Sequence, residues 1–144
     1  MDKQQFMTLA EHAYDTHELK AENVLMFKLL QLEFAYDDVK KTCTVTCPIT
    51  LPMLNPSGIV HGGIYTYIAD SAMGQLNFRH KDAPYVSLEL KTSYFNAVSA
   101  GSLTATARYV KDGYKVVFME CDVKNEKDEL MCTTTGTFYR FAKK

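Results

Sequence analysis

The sequence of 144 residues has no excess of either charge, no glycine- or proline-rich stretch, no internal repeat and no long uninterrupted apolar run. Each absence excludes something. A formal net charge of −1 gives no basic field of the kind that phosphate-backbone binding needs, which sets nucleic acid aside as the main partner. Seven Gly and four Pro are too few for a linker-dominated or disordered chain. With no composition break, residues 1–144 read as one domain, large enough to bury roughly two thirds of its unfolded surface without a disulfide or a metal. The opening stretch MDKQQFMTLAEHAYDTHELK lacks an apolar h-region behind a basic n-region, so the expected location is cytoplasmic. The most apolar segment, 62–78, is interrupted by Asp70, Gln75, Asn77 and three glycines and falls short of a membrane span.

Cysteine is present but sparse. Cys43 and Cys47 alternate with Val45, and Cys121 falls in the series Val117, Met119, Cys121, Val123. These are the positions of small apolar residues on strand faces. The Cys43 and Cys47 spacing has no second pair to complete a zinc set, so no metal is expected.

What is present follows two periods. Phe6, Leu9, Ala10, Ala13 and His17 have helical spacing, and residues 21–30 either continue that helix or begin a strand. From Lys28 the pattern becomes period two, through LLQLEFAY and then Val39 to Ile49, with Asp37-Asp38 as the turn of a hairpin. Further strands are predicted at 85–95, 103–111, 115–124 and 129–141, with Asp112-Gly113 as a type I′ turn and 125–128 as the next link. Links so short require antiparallel neighbours. Between the strand blocks, GGIYTYIADSAMGQLNF is apolar around most of a helical circumference, which marks a buried helix. The expected architecture is α+β: an antiparallel sheet wrapped around one long central helix, preceded by an N-terminal helix.

In that helix Asp70 is the only charged residue between His61 and Arg79, with no cation within four positions. Desolvating an unpaired carboxylate costs several kcal/mol and raises its pKa. Asp70 therefore either meets a solvent gap or Ser and Thr hydroxyls, or serves chemistry. His61-Gly62-Gly63 stands where the helix begins, so unsatisfied N–H groups without a Cβ in the way, reinforced by the helix dipole, form an oxyanion hole in outline. Asn55, in the Pro- and Gly-punctuated loop LPMLNPSGIV, offers a side-chain amide to a carbonyl or a water. Gly62 and Asp70 are eight residues apart, roughly 12 Å along one helix, too far to serve one carbonyl. Two antiparallel copies related by a twofold axis would bring Gly62 of one to Asp70 of the other.

The run Asn55-Pro-Ser-Gly-Ile-Val-His61-Gly62-Gly63, with Asp70 nine residues after the histidine and Gly74 four later, resembles the signature of hotdog-fold acyl-CoA thioesterases of the phenylacetate-pathway (PaaI) type. The stretch 101–141, ending in TTTGTFYRF, is similar to that family's last three strands. The resemblance implies a hotdog fold in a homodimer or homotetramer acting on acyl-CoA, with no metal and no cofactor, since CoA is part of the substrate. It also implies that Asp70 is general base or nucleophile and that the Gly62 amide polarises the thioester carbonyl. Asn55 and His61 would position thioester or water, Gly63 belongs to the same helix start, and Ser87 corresponds to a water-orienting hydroxyl. A hotdog hydratase or dehydratase using His61, and a non-catalytic acyl-CoA-binding module, are the other readings considered.

His12 and His17 read as surface residues, and Arg79, His80 and Lys81 as favourable charge at the helix C-terminus. Lys91, Arg108, Lys111 and Lys115 read as solvated strand residues, while Tyr65, Tyr67 and Met73 read as core packing before any acyl tunnel.

Overall fold

The structure, a computed structural model, describes residues 1–141. Helix α1 (Lys3–Thr16) starts at Asp2, whose carboxylate accepts from the Gln5 N–H while the Gln5 side chain returns a bond to the Asp2 N–H. This reciprocal cap satisfies two otherwise orphaned donors. Residues 21–30 resolve as neither predicted alternative: a 3₁₀ turn (Ala21–Asn23) leads into a five-residue helix α2 (Leu25–Leu29). Strand β1 (Glu33–Asp37) is therefore shorter than LLQLEFAY suggested. It pairs with β2 (Thr42–Pro48) as the expected hairpin, whose turn is braced by the Asp37 carboxylate accepting from the N–H groups of Val39 and Lys40.

After a 3₁₀ turn (Leu51–Met53) the chain enters α3 (Gly62–His80), then β3 (Tyr85–Tyr94), β4 (Ser102–Lys111), β5 (Val116–Asn125) and β6 (Leu130–Arg140). The sheet order is β1-β2-β4-β5-β6-β3 with every pairing antiparallel. The six strands curl around α3, which contacts β2 to β6 and buries Tyr65, Ile68, Ala69, Ala72, Met73, Leu76 and Asn77. Fully burying a side chain such as Ile68 or Leu76 stabilises by about 1.5–3 kcal/mol, so this helix is the central piece of the core. The architecture is the expected hotdog.

All four cysteines are buried and unpaired, and burial pushes the thiols of Cys43, Cys47 and Cys132 up to about 12. They behave as the small apolar residues that the alternation indicated.

Two local expectations are corrected. The β4–β5 link is a four-residue loop, 112–115, and Gly113 does not take the positive φ of a type I′ turn. Glycine is required there for a different reason: a Cβ would lie 2.1 Å from the Val116 carbonyl oxygen. The three basic residues at the end of α3 are also bound specifically rather than acting as dispersed dipole charge. Arg79 makes a bidentate bond to Asp38 in the β1–β2 turn (2.6 and 2.7 Å), His80 approaches the same carboxylate at 3.4 Å, and Lys81 pairs with Asp112. Arg79 holds the Asp38 carboxyl below the usual carboxylate range. The C-terminal end of the helix is thus clamped to two hairpin turns.

Candidate active site

The loop before α3 is built by its own polar groups. Asn55 Oδ1 accepts from the N–H groups of Ser57 (2.9 Å) and Ile59 (3.3 Å), and the Gly58 N–H closes onto the Asn55 carbonyl. Gly58 sits at φ 74°, a conformation open to glycine and strained for L side chains. Leu54 and Val60 form a bridge across the loop, and His61 N–H bonds Met53 O at 2.8 Å, which delivers His61 to the N-cap of α3. Half of the Asn55 amide is therefore structural, and its NH₂ group remains as the donor.

At the helix start the two glycines differ. His61 Nδ1 accepts from the Gly63 N–H at 2.9 Å, so Gly63 is not an open oxyanion donor, although both glycine amides at the helix start were expected to be unsatisfied. With Nδ1 taken up as the acceptor, Nε2 is the ring atom that His61 offers as a donor. The Gly62 N–H makes no hydrogen bond within the described residues and is the open donor of the first turn.

Tyr94, which the sequence did not single out, packs directly over Gly62. A Cβ on Gly62 would stand 3.1 Å from both Tyr94 Cζ and its hydroxyl, and that hydroxyl donates to the Gly62 carbonyl at 2.9 Å. It continues a line of hydroxyls through Thr66 (3.1 Å), Thr92 (2.8 Å) and buried Thr134 (2.9 Å) that ties the first turn of α3 to β3 and β6. The signal was present in the even-numbered inward series Leu90, Thr92, Tyr94 of β3.

Eight residues on, Asp70 lies half-buried on a groove of about 350 Å³. Tyr67 and Gly74 of α3 line it beside Asp70, Val24 and Phe27 line it from the α2 segment, and no lining side chain carries a positive charge. Burial pushes the Asp70 carboxyl above the ordinary carboxylate value, and the Ser87 hydroxyl, which favours the charged form, draws it part of the way back.

Ser87 reaches this position through a β-bulge. Register shifts between Ser87 and Glu89, so Ser87 pairs with inward-facing Phe138 while Leu90, Thr92 and Tyr94 pair with inward-facing Gly136, Thr134 and Cys132. Strict alternation from Thr92 would have turned Ser87 outward; the extra residue, Leu88, re-aims it.

The predicted residues thus form two groups, Asn55, His61, Gly62 and Gly63 at the start of α3, and Asp70 with Ser87 further along it. The helix is unbroken between them, about 12 Å at 1.5 Å per residue. Of the residues read as core, Tyr65 and Met73 are buried, whereas Tyr67 lines the groove. Arg108 is committed to Glu120 and Asp122 on the outer face. A depression of about 480 Å³ on that face is lined by Asp122, Lys124 and their neighbours, and none of the motif residues lies on it.

A curled antiparallel sheet around one long helix defines the class as a hotdog-fold protein. The family model of the Thioesterase superfamily matches residues 57–132, so the chain belongs to that superfamily and is a thioesterase. Among similar proteins, the 1,4-dihydroxy-2-naphthoyl-CoA hydrolase of Listeria monocytogenes is 26% identical over 100 residues, covering 68% of this chain and 81% of that protein. The BH2602 protein of Bacillus halodurans, whose crystal structure is with CoA, has a TM-score of 0.86 at 23% identity, covering 100% of this chain and 97% of that one. The E. coli PaaI protein from the phenylacetic acid degradation operon has a TM-score of 0.78 at 21% identity over 93% of this chain and 96% of that one. Likeness at these identities extends to the fold. Among the described residues no helix is long and apolar enough to cross a membrane.

Proposed function

We propose that the thioester hydrolysed is an acyl-CoA, and that each active site is shared between two antiparallel copies of α3. One copy supplies the Gly62 N–H and the other supplies Asp70. The observation that carries this reading is the lone Asp70 carboxylate, held on an uncharged groove with its ionised form disfavoured and only a hydroxyl to support it. The CoA held by the Bacillus halodurans protein and the CoA thioester hydrolysed by the Listeria enzyme support the choice of substrate.

In the proposed reaction Asp70 takes a proton from a water oriented by Ser87, and the water oxygen bonds to the thioester carbonyl carbon. The negative charge that develops on the carbonyl oxygen is met by the Gly62 N–H and the dipole of α3. When the tetrahedral species collapses, the C–S bond breaks and CoA leaves as thiolate; a thiol pKa near 8.5 means that little leaving-group protonation is needed. Base and donor are each worth about 2–4 kcal/mol in such a scheme. If Asp70 instead attacked the carbonyl itself, a burst of thiol release would precede the steady state. His61, its acceptor nitrogen already occupied, fits a positioning role better than the base a hydratase would require.

The edge of the sheet supports pairing of two copies. Strand β3 is an edge of the sheet, with β6 as its one ladder partner among the described residues, and its bulge exposes Val86 and Leu88, the latter at 63%. A ten-residue unpaired edge beside the groove invites a second copy. A homodimer or a dimer of dimers is the assembly proposed. The test is a thiol-release assay across short, medium, long and aromatic acyl-CoAs, with Asp70→Ala as control. Release well above the control on at least one substrate is expected, and none on any substrate would leave only an acyl-CoA-binding module.

A further inference from the structure

We infer that Gly74 sets the size of the acyl group the groove accepts, and that the substrates carry compact apolar acyl groups of short to medium length; this rests on the reading of Asp70 given above. An interior helical glycine weakens its helix relative to alanine, so its presence in the middle of α3 requires a reason. Close packing within the chain is not that reason. A Cβ added at Gly74 would meet nothing within 4 Å, whereas one added at Gly62 or Gly136 would press on Tyr94 or on Phe138, Leu90 and Met73. Backbone conformation is not the reason either, because α3 runs through Gly74 without a positive φ.

What the missing side chain leaves is space, and the space belongs to the Asp70 groove. Gly74 lines it one turn beyond Asp70, about 6 Å further along the helix. The segment that brings Val24 and Phe27 to the groove is tied to the same helix just upstream of them, by Gln75 Nε2 donating to the Ala21 carbonyl at 3.1 Å. A side chain at residue 74 would take up part of that groove. At about 350 Å³ the groove is at the small end of ligand pockets, which suits a compact acyl group. An acyl group whose carbonyl sits at Asp70 passes Gly74 only if it extends about 6 Å beyond, as hexanoyl and phenylacetyl groups do and acetyl does not.

The test compares wild type, Gly74→Ala and Gly74→Leu on acetyl-, butyryl-, hexanoyl-, phenylacetyl- and palmitoyl-CoA. Gly74→Leu is expected to lower kcat/KM for hexanoyl- and phenylacetyl-CoA at least about tenfold relative to the shortest acyl-CoA the wild type hydrolyses, with the loss carried by KM. Gly74→Ala is expected to raise Tm by about 2–4 °C while shifting the chain-length profile in the same direction by a few-fold, so the inference remains open to refutation even if the leucine variant fails to fold. A chain-length profile unmoved by either variant would sink the inference while leaving the hydrolase reading intact. Equal losses on every acyl-CoA would also overturn it, by placing the CoA moiety rather than the acyl group beside Gly74. Thiol release no greater than that of Asp70→Ala on any substrate would instead locate the failure in the hydrolase reading.

Discussion

The 12 Å between Gly62 and Asp70 can be tested by dividing the site between two variants. Gly62 is the first residue of α3, where proline is tolerated because the missing N–H belongs to the unsatisfied set. His61 before it, at φ −64° and ψ 135°, already has the conformation a residue preceding proline prefers. Gly62→Pro therefore deletes the open donor with little change of backbone. Gly62→Ala is the matched control, because its Cβ crowds Tyr94 in the same way but its N–H is retained. Loss of one oxyanion donor lowers kcat by about 10²–10³. Asp70→Asn alone should remove a comparable factor by deleting the base. Co-expressing Gly62→Pro and Asp70→Asn with different affinity tags and purifying through both isolates the mixed dimer. If each site takes Gly62 from one copy and Asp70 from the other, one site in the mixed dimer has both groups intact and the second has neither. The mixed dimer should then recover about half the wild-type rate while both parents stay near background. A mixed dimer no more active than its parents, with Gly62→Ala near wild type, would refute the shared site and require both groups to act within one copy.

Other substitutions have equally definite expectations. Asp70→Asn should lower kcat about a hundredfold or more in the thiol-release assay. It should also raise stability against urea near pH 8: a carboxyl whose pKa is raised on folding contributes fully below its unfolded pKa and loses that contribution as pH rises through the folded value, so the gain should vanish below about pH 4. Ser87→Ala removes the hydroxyl that favours ionised Asp70, so the acid limb of the kcat/KM profile should move to higher pH; an unmoved limb would separate Ser87 from Asp70. Gly136→Ala would place a Cβ 2.8 Å from Phe138 Cε2 and 3.2 Å from Met73 Cε, which should destabilise by about 1–3 kcal/mol in chemical denaturation.

The parts legible in the sequence were those governed by one local rule. The 62–78 segment announced a buried helix because its apolar residues occupy the whole circumference, and β4, β5 and β6 announced an antiparallel meander because their links are short. Asp70 stood out as a charge without a partner, and His61-Gly62-Gly63 as a helix start. What stayed hidden depended on contacts between distant segments or on a single extra residue. Gly113 was read for its φ, whereas the Val116 carbonyl dictates it. Gly63 was counted as a donor until the His61 ring proved to occupy its N–H. The inward aim of Ser87 depends on the bulge at Leu88, which period-two counting cannot detect, and the place of β3 beside β6 is set by pairing across most of the C-terminal half. The α2 segment, whose Phe27 lines the same groove as Asp70, is only five residues long and gives no periodic signal.

The position of α3 in the chain also orders the events of folding. The hairpin β1–β2 and the meander β4–β5–β6 join neighbours in sequence and close short loops, so they can form early and at little entropic cost. The seam between β2 and β4 and the seam between β3 and β6 bring together segments separated by long stretches of chain, so their closure is the slow, non-local step. Until both seams close, the apolar circumference of α3 has no sheet around it, and the half-assembled chain presents its most aggregation-prone surface before the sheet has wrapped the helix.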